Sequence, residues 1–206
     1  MTPATDPHRQ PYKPGKRDEW RTPRTFVAGV ERRWQLILDA AACAESTVAP
    51  RYIDHELDAL RCDWQAPKIA PGYLEVAAEH GGGVRVGGPA AVWCNPPFSQ
   101  ALAFVTACRQ WSSRLQRPVL MIGPASVGTF WWSDAFLLAA EVWFVDLRLQ
   151  FEPPPGIRKS SNTAGSTLFV FMPNGSPIVG HRLCGMLGRD GLPVDPSLRH
   201  KWIGGE

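Results

Sequence analysis

Seven consecutive residues, Val92-Trp93-Cys94-Asn95-Pro96-Pro97-Phe98, carry the most specific chemical signal in this chain. Asn95 offers an amide oxygen as a hydrogen-bond acceptor, and the backbone carbonyl of Pro96 offers a second. Pro96 and Pro97 fix their own φ and bias the residue before them to extended geometry, so both acceptors project from a stiff turn. Phe98 adds a flat π-face. Two acceptors beside an aromatic plate suit the exocyclic amino group of a flat heterocycle. Such an amine is a poor nucleophile, because its lone pair is delocalised into the ring. Hydrogen bonds from its N–H groups to Asn95 and Pro96 draw the nitrogen toward tetrahedral geometry and free the lone pair for in-line attack on an activated methyl group. Stacking on Phe98 holds a base that has left its duplex, as base-modifying enzymes require. Placement, more than proton transfer, is then the main catalytic contribution.

That turn needs a strand before it and a helix after it, because ligand chemistry in an open parallel sheet lies beyond the carboxyl ends of the strands. Ala90 to Cys94 reads as the strand, and Ser99 to Leu115 as a helix capped by Ser99. Pro118 to Ile122 reads as a strand, Thr129 to Ala140 as a helix and Glu141 to Val145 as another strand. Upstream, Thr22-Pro23 predicts an N-cap followed by proline at the first helical position, with Phe26, Val27 and Val30 at helical spacing. The run Gln35-Leu36-Ile37-Leu38-Asp39 is apolar, brief and ends in a carboxylate, as a buried parallel strand would. The alternation predicts an α/β domain over residues 20–172, a mostly parallel sheet with helices on both faces.

Past Asp146 the alternation stops. Arg148 to Phe151 and Ser166 to Met172 read as two antiparallel strands, joined by a loop at 152–165 that holds Arg158-Lys159-Ser160-Ser161-Asn162. The segment around Asp54 to Leu60 reads as helical or irregular. Residues 65–90, rich in Gly and Pro, read as an insertion with one short helix at Gly72 to His80. Residues 1–19 form a polar, basic, proline-rich arm without apolar period, expected to be flexible. Residues 173–206 read as an extension without a regular element.

Composition narrows the classes further. With 206 residues, 44% hydrophobic and 20% charged, the chain is sized and composed for one globular domain, which excludes a wholly disordered chain and a coiled coil. No apolar run approaches the roughly 18 residues of a membrane span, and the first residues lack a signal-peptide core, so a cytoplasmic protein is expected. Five scattered cysteines without a C-x-x-C pair and five dispersed histidines support neither a disulfide framework nor a metal site. A net charge of +3 permits a nucleic-acid partner without demanding one. Trp111, Trp131, Trp132 and Trp143 fall in regular elements and read as packing residues. A monomer is expected, with the oligomeric state left open.

Asn95-Pro96-Pro97-Phe98 resembles the catalytic motif of S-adenosylmethionine-dependent amino-methyltransferases, and the wider order of motifs resembles the phage-type DNA N6-adenine methyltransferase family. The likeness runs through Asp18-Glu19-Trp20-Arg21-Thr22-Pro23, Leu38-Asp39-Ala40-Ala41-Ala42, Asp58-Ala59-Leu60 with Asp63-Trp64, Trp93 to Phe98, and Arg148 to Phe151 with Phe169-Val170-Phe171. It implies a Rossmann-like methyltransferase fold with an antiparallel C-terminal strand, S-adenosylmethionine as cofactor, and adenine N6 of double-stranded DNA as acceptor. By position, Thr22 and Pro23 resemble the segment that encloses the methionine end of the cofactor. Asp39, Ala40 and Ala41 resemble the first cofactor motif, and Asp58 the acid that accepts from the cofactor's adenine amino group.

Two departures accompany the likeness: alanines and Cys43 stand where many methyltransferases have glycines, and the ribose-binding acid has no clear match beyond Glu45. Other readings stay open. Asp39 also suits a strand end that caps the next turn, and Asp58 shares a polar stretch with Asp54, Glu56 and Asp63. Arg158, Lys159, Ser160 and Asn162 suit either DNA contact or a solvated loop. The acceptor could instead be cytosine N4, an RNA base or a protein glutamine, or the chain could be a catalytically silent DNA-binding module.

Overall fold

Three brief apolar runs, β1 (Gln35–Asp39), β4 (Ala90–Cys94) and β5 (Val119–Pro124), lie side by side and parallel at the centre of the sheet. The structure, a computed structural model, describes residues 20–70, 88–146, 148–153, 165–173 and 183–194. Within these, β2 (Arg51–Tyr52), β3 (Lys68–Ile69), β6 (Glu141–Val145), β7 (Ser166–Phe171) and β8 (Leu183–Leu187) complete an eight-stranded sheet of order β3-β2-β1-β4-β5-β7-β6-β8. β7 is antiparallel to both of its neighbours, β5 and β6, and β3 is antiparallel to β2; the remaining pairs are parallel. Every residue of β7 is buried, so its sequence is apolar apart from Ser166 and Thr167 rather than alternating.

Helices cover both faces. α1 (Arg24–Val30) sets Phe26, Val27 and Val30 against Leu36, Trp93, Leu120, Ile122 and Val170. On the opposite face, α2 (Ala101–Leu115) and α3 (Phe130–Leu138) set Phe104, Val105, Cys108 and Trp132 against Leu38, Val92, Met121 and Phe169. Leu36 and Leu38 thus belong to different faces although they are two residues apart. The cause is an extra residue in β1: Leu36 pairs with Ala91 and Leu38 with Val92, a bulge that reverses which face each side chain meets.

Several expectations are corrected. Thr22 does not cap α1; Pro23 occupies the cap position and the helix begins at Arg24. Ser99 lies inside a 3₁₀ turn, Phe98–Gln100, and α2 starts at Ala101 without a side-chain cap. Arg148 to Phe151 is not a strand beside Ser166 to Phe171. Leu149 and Phe151 are buried among the side chains of the α1 face, and Glu152 alone makes a bridge, to Arg21. The stretch from 173 onward does contain an element, β8, parallel to β6. The 65–90 excursion includes β3, and the helix expected at Gly72 to His80 lies outside the described residues. Trp131 and Trp132 pack as expected, Trp132 stacked on Phe136 at 5.3 Å and both rings edge-on to Phe169.

The order β2-β1-β4-β5 reverses direction between β1 and β4. In doubly wound sheets that crevice, at the carboxyl ends of the strands, is where ligands bind. Asp39 ends one of these strands and Asn95 follows the other.

Candidate active site

A cavity of about 450 Å³ opens at this switch point, within the usual size range of small-molecule sites. Asp39 stands at its base. The carboxylate is 3% exposed; Oδ1 accepts from the Ala41 N–H at 3.3 Å and Oδ2 from the Val48 N–H at 3.1 Å, so one side chain closes both ends of the 40–48 loop. Burial pushes the Asp39 pKa up to about 6, against the opposing pull of the two N–H donors and the Arg24 charge. Ala40, Ala41 and Ala42 line the wall above it and let the backbone run close to the cavity.

The second wall comes from the segment after β2. Asp54 and His55 both line the cavity. Lys68 of β3 donates to Asp54 Oδ2 and to Glu56 Oε2, at 2.5 and 2.7 Å, and the Leu57 N–H donates to Asp54 Oδ1. Burial raises the Asp54 pKa, but the bonds from Lys68 and Leu57, with the Lys68 and His55 charges, outweigh it and hold the carboxyl below its ordinary value. Asp58 lines the cavity in a left-handed backbone conformation, φ 54°, which aspartate tolerates better than most residues. Its Oδ1 accepts from the Leu60 N–H at 3.1 Å, and Oδ2 pairs with Arg61 Nε at 3.3 Å. Trp64 anchors this turn to α2, donating from Nε1 to the Ala59 carbonyl at 2.7 Å and stacking on Trp111 at 5.6 Å.

Asn95 and Pro97 reach the cavity from the end of β4. Asn95 Nδ2 donates to the Trp20 carbonyl at 2.8 Å, while Oδ1 is buried and has no hydrogen-bond partner. Trp20, Arg21 and Thr22 form the third wall. This segment is clipped in place by a two-way bridge, Arg21 N–H to the Glu152 carbonyl at 2.8 Å and Glu152 N–H to the Arg21 carbonyl at 2.9 Å. Thr22 is buried, lines the cavity, and its Oγ1 also lacks a partner.

Of the residues singled out by sequence, Thr22, Asp39, Ala40, Ala41, Asp58, Asn95 and Pro97 therefore meet around one cavity. Pro23, Pro96 and Phe98 do not line it. The Pro23 carbonyl accepts the first helical N–H groups, from Phe26 and Val27. Pro96 is buried behind the turn, and Phe98 meets Phe151 edge-to-face at 6.3 Å. Glu45 is exposed and outside the lining, whereas Asp54, just after β2, lines the cavity. Arg158, Lys159, Ser160 and Asn162 lie outside the described residues. Sequence reading missed Asp54, His55 and Trp20. For Asp54 a signal existed: Tyr52-Ile53-Asp54 is an apolar pair ending in an acid, like Leu38-Asp39 at the neighbouring strand end.

Among the described residues, no group of three or more His, Cys, Asp or Glu could hold a metal ion, and no helix is long and apolar enough to cross a membrane.

The sheet order, with an antiparallel strand near the edge and a cavity at the switch point, defines a Rossmann-like methyltransferase fold. The chain belongs to the DNA N-6-adenine-methyltransferase (Dam) family, whose pattern matches residues 11–80 and 82–183. A DNA N-6-adenine-methyltransferase of Escherichia phage T1 is 30% identical over 135 residues, 65% of this chain and 47% of the phage protein. The chain thus spans about half the length of that curated relative.

Proposed function

We propose that this chain transfers a methyl group from S-adenosylmethionine to N6 of an adenine flipped out of double-stranded DNA. The observation that carries this reading is Asn95: an amide held by its nitrogen, with Oδ1 buried and unpaired at the carboxyl end of β4. A buried acceptor without a partner costs about 1–3 kcal/mol, and an arriving N–H relieves that cost.

The cavity suits the cofactor. Its volume and its alanine wall admit an adenosine-sized ligand, and the unpaired Thr22 Oγ1 provides a polar contact beside Asn95. Thr22 would meet the methionine end, with Pro23 fixing the approach of that segment. Asp39, buried at the base of the cavity, would shape the 40–48 loop around it through the N–H groups it accepts from Ala41 and Val48. Asp54 and Asp58, with lone pairs to spare beyond their present donors, would accept from ribose hydroxyls and the adenine amino group respectively. When bound, S-adenosylmethionine supplies an electrophilic methyl carbon. Asn95 Oδ1 and the Pro96 carbonyl accept the N6 hydrogens of the target base and localise the nitrogen lone pair. Neither acceptor is a base near neutral pH, so N6 loses its proton to solvent after attack. Phe98 would offer its face to the flipped base, and its edge-to-face neighbour Phe151 would steady the ring. Arg158, Lys159, Ser160 and Asn162 would contact the duplex backbone, in the cytoplasm where host DNA is accessible.

Expression in a host lacking adenine methylation, followed by digestion of its DNA to nucleosides, tests the reading. N6-methyladenine is expected, and its absence with folded protein present overturns the assignment. Asn95→Ala should reduce the methylation rate by about 10²–10³-fold, the usual effect of deleting one preorganised hydrogen-bonding group, with methyl-donor affinity retained.

A further inference from the structure

An asparagine amide can be turned over about its last torsion at almost no intrinsic cost, because that torsion is broad and roughly two-fold. Turned one way, Asn95 presents an acceptor to the cavity; turned the other way, it presents a donor that opposes an incoming N–H. What decides is the group on the far side. The atom of Asn95 that lies 2.8 Å from the Trp20 carbonyl must be nitrogen, because a carbonyl can only accept.

We propose that the Trp20 backbone carbonyl is the positioning group that sets the Asn95 amide with Oδ1 as the free acceptor. Residues 20–22 then belong to the amine-activating machinery as well as to the cavity wall. The inference rests on the function proposed above. It follows from two facts, the donor–acceptor geometry at Asn95 and the two-way bridge that holds Arg21 to Glu152. It also accounts for asparagine in place of aspartate at this position. An ionised carboxylate would have no hydrogen to offer and would face the Trp20 oxygen across a hydrogen-bond distance. A protonated carboxyl would restore the donor.

Asn95→Asp therefore tests the proposal through pH. The ionisable and charged groups facing Asn95 around the cavity are Arg21 on the N-terminal segment, Asp39 and Cys43 from the first loop, and Asp54, His55 and Asp58 from the second. Cys94 is its chain neighbour. All of these are shared with Asn95→Ala, which serves as the reference. Burial and the opposing carbonyl hold the introduced carboxyl protonated to higher pH in the folded state than in the unfolded chain. Stability relative to the alanine variant should then be greatest near pH 5 and should fall as pH rises to 8, read as a widening difference in melting temperature. Methylation by Asn95→Asp should recover at least about 10-fold relative to the parent over the same range as pH falls. A melting difference that does not change with pH, or parent-like methylation at pH 8, overturns the proposal.

Proton NMR of the unsubstituted protein gives a readout independent of any variant's folding. The Asn95 side-chain NH₂ signals, assigned by their loss in Asn95→Ala, should exchange slowly with solvent, and rapid exchange overturns the inference. The melting and exchange measurements need neither methyl donor nor DNA, so they succeed or fail separately from the adenine assignment.

Discussion

Replacing Asp39 by asparagine should make the stability of this protein respond differently to pH, and the size of the change follows from the site. Asp39 is buried, and its pKa rises from 3.8 to about 6 on folding. Between those two values the folded state holds a proton that the unfolded chain has released. Stability therefore falls as pH rises through the window, since the unfolded state binds fewer protons than the native one. A gap of about two pH units is worth about 3 kcal/mol, fully lost above pH 6 and fully regained below pH 4. Asparagine does not titrate, and one of its polar atoms, the Nδ2, cannot accept from the Ala41 or Val48 N–H. Near pH 4 the parent should be the more stable protein, because a protonated carboxyl still offers acceptor capacity to both donors. Toward pH 7 that advantage should shrink by about 3 kcal/mol. Urea unfolding of the two proteins at half-unit steps from pH 4 to 7.5 measures the difference directly, and other titrating groups cancel because they are common to both. A difference that stays constant across the range, or grows with pH, would falsify the account of Asp39 as a carboxyl whose burial favours its protonated form.

The remaining predictions concern the frame around the site. Glu141 is buried at the start of β6 and accepts two bonds from the Arg33 guanidinium and one from Trp143 Nε1. Arg33→Ala should destabilise the protein by about 1.5–3 kcal/mol in denaturant unfolding, and Arg33→Lys should recover little, since an ammonium cannot reproduce the paired geometry. At Gly185 an added Cβ would stand 2.4 Å from the Trp143 ring, so Gly185→Ala should cost about 1–3 kcal/mol and raise amide exchange in β8 before the rest of the sheet. Phe130 is 88% exposed and Trp132 only 7%; Phe130→Ala should change stability by less than about 0.5 kcal/mol, whereas Trp132→Ala should cost about 3–5 kcal/mol by thermal or urea unfolding.

Where an element was long enough to carry its own pattern, the sequence announced it. β1, β4 and β6 occupy the runs that were expected of them, because each is a bounded apolar stretch between residues that stop a strand. β2 and β3 are two residues each, too short for any period, and they exist because β1 supplies an edge for β2 and β2 in turn supplies one for β3. The position of β7 between β5 and β6 is likewise not a local property. Nothing in Ser166 to Phe171 states which neighbours it will have, and the long segment before it allows either. β8 was disguised by Gly185, which weakens a strand pattern and is present because the Trp143 ring occupies the space of a side chain. The bulge in β1 is a pairing fact too, visible only once Leu36 and Leu38 have found consecutive partners on β4.

The site divides along the same line. Asn95 was legible because its chemistry resides in a side chain and a rigid diproline turn, both written in consecutive letters. Trp20 was not, since what it contributes is a carbonyl that every residue has, and its value comes from lying 2.8 Å from Asn95 across 75 positions of chain. Asp54 falls between these cases. It has the right chemistry in its side chain, but several acids crowd the same stretch, and only its place just after β2, in the wall of the cavity, separates it from Glu56 and Asp63. A motif therefore names the group that touches the reacting atoms, while the groups that orient it are found by asking where each of its remaining hydrogen bonds goes. At Asn95 that question leads from the amide nitrogen to the Trp20 carbonyl, and from the neighbouring Arg21 bridge to Glu152; the family motif marks the segment of Trp20 and Arg21, and the hydrogen bonds show what its backbone does.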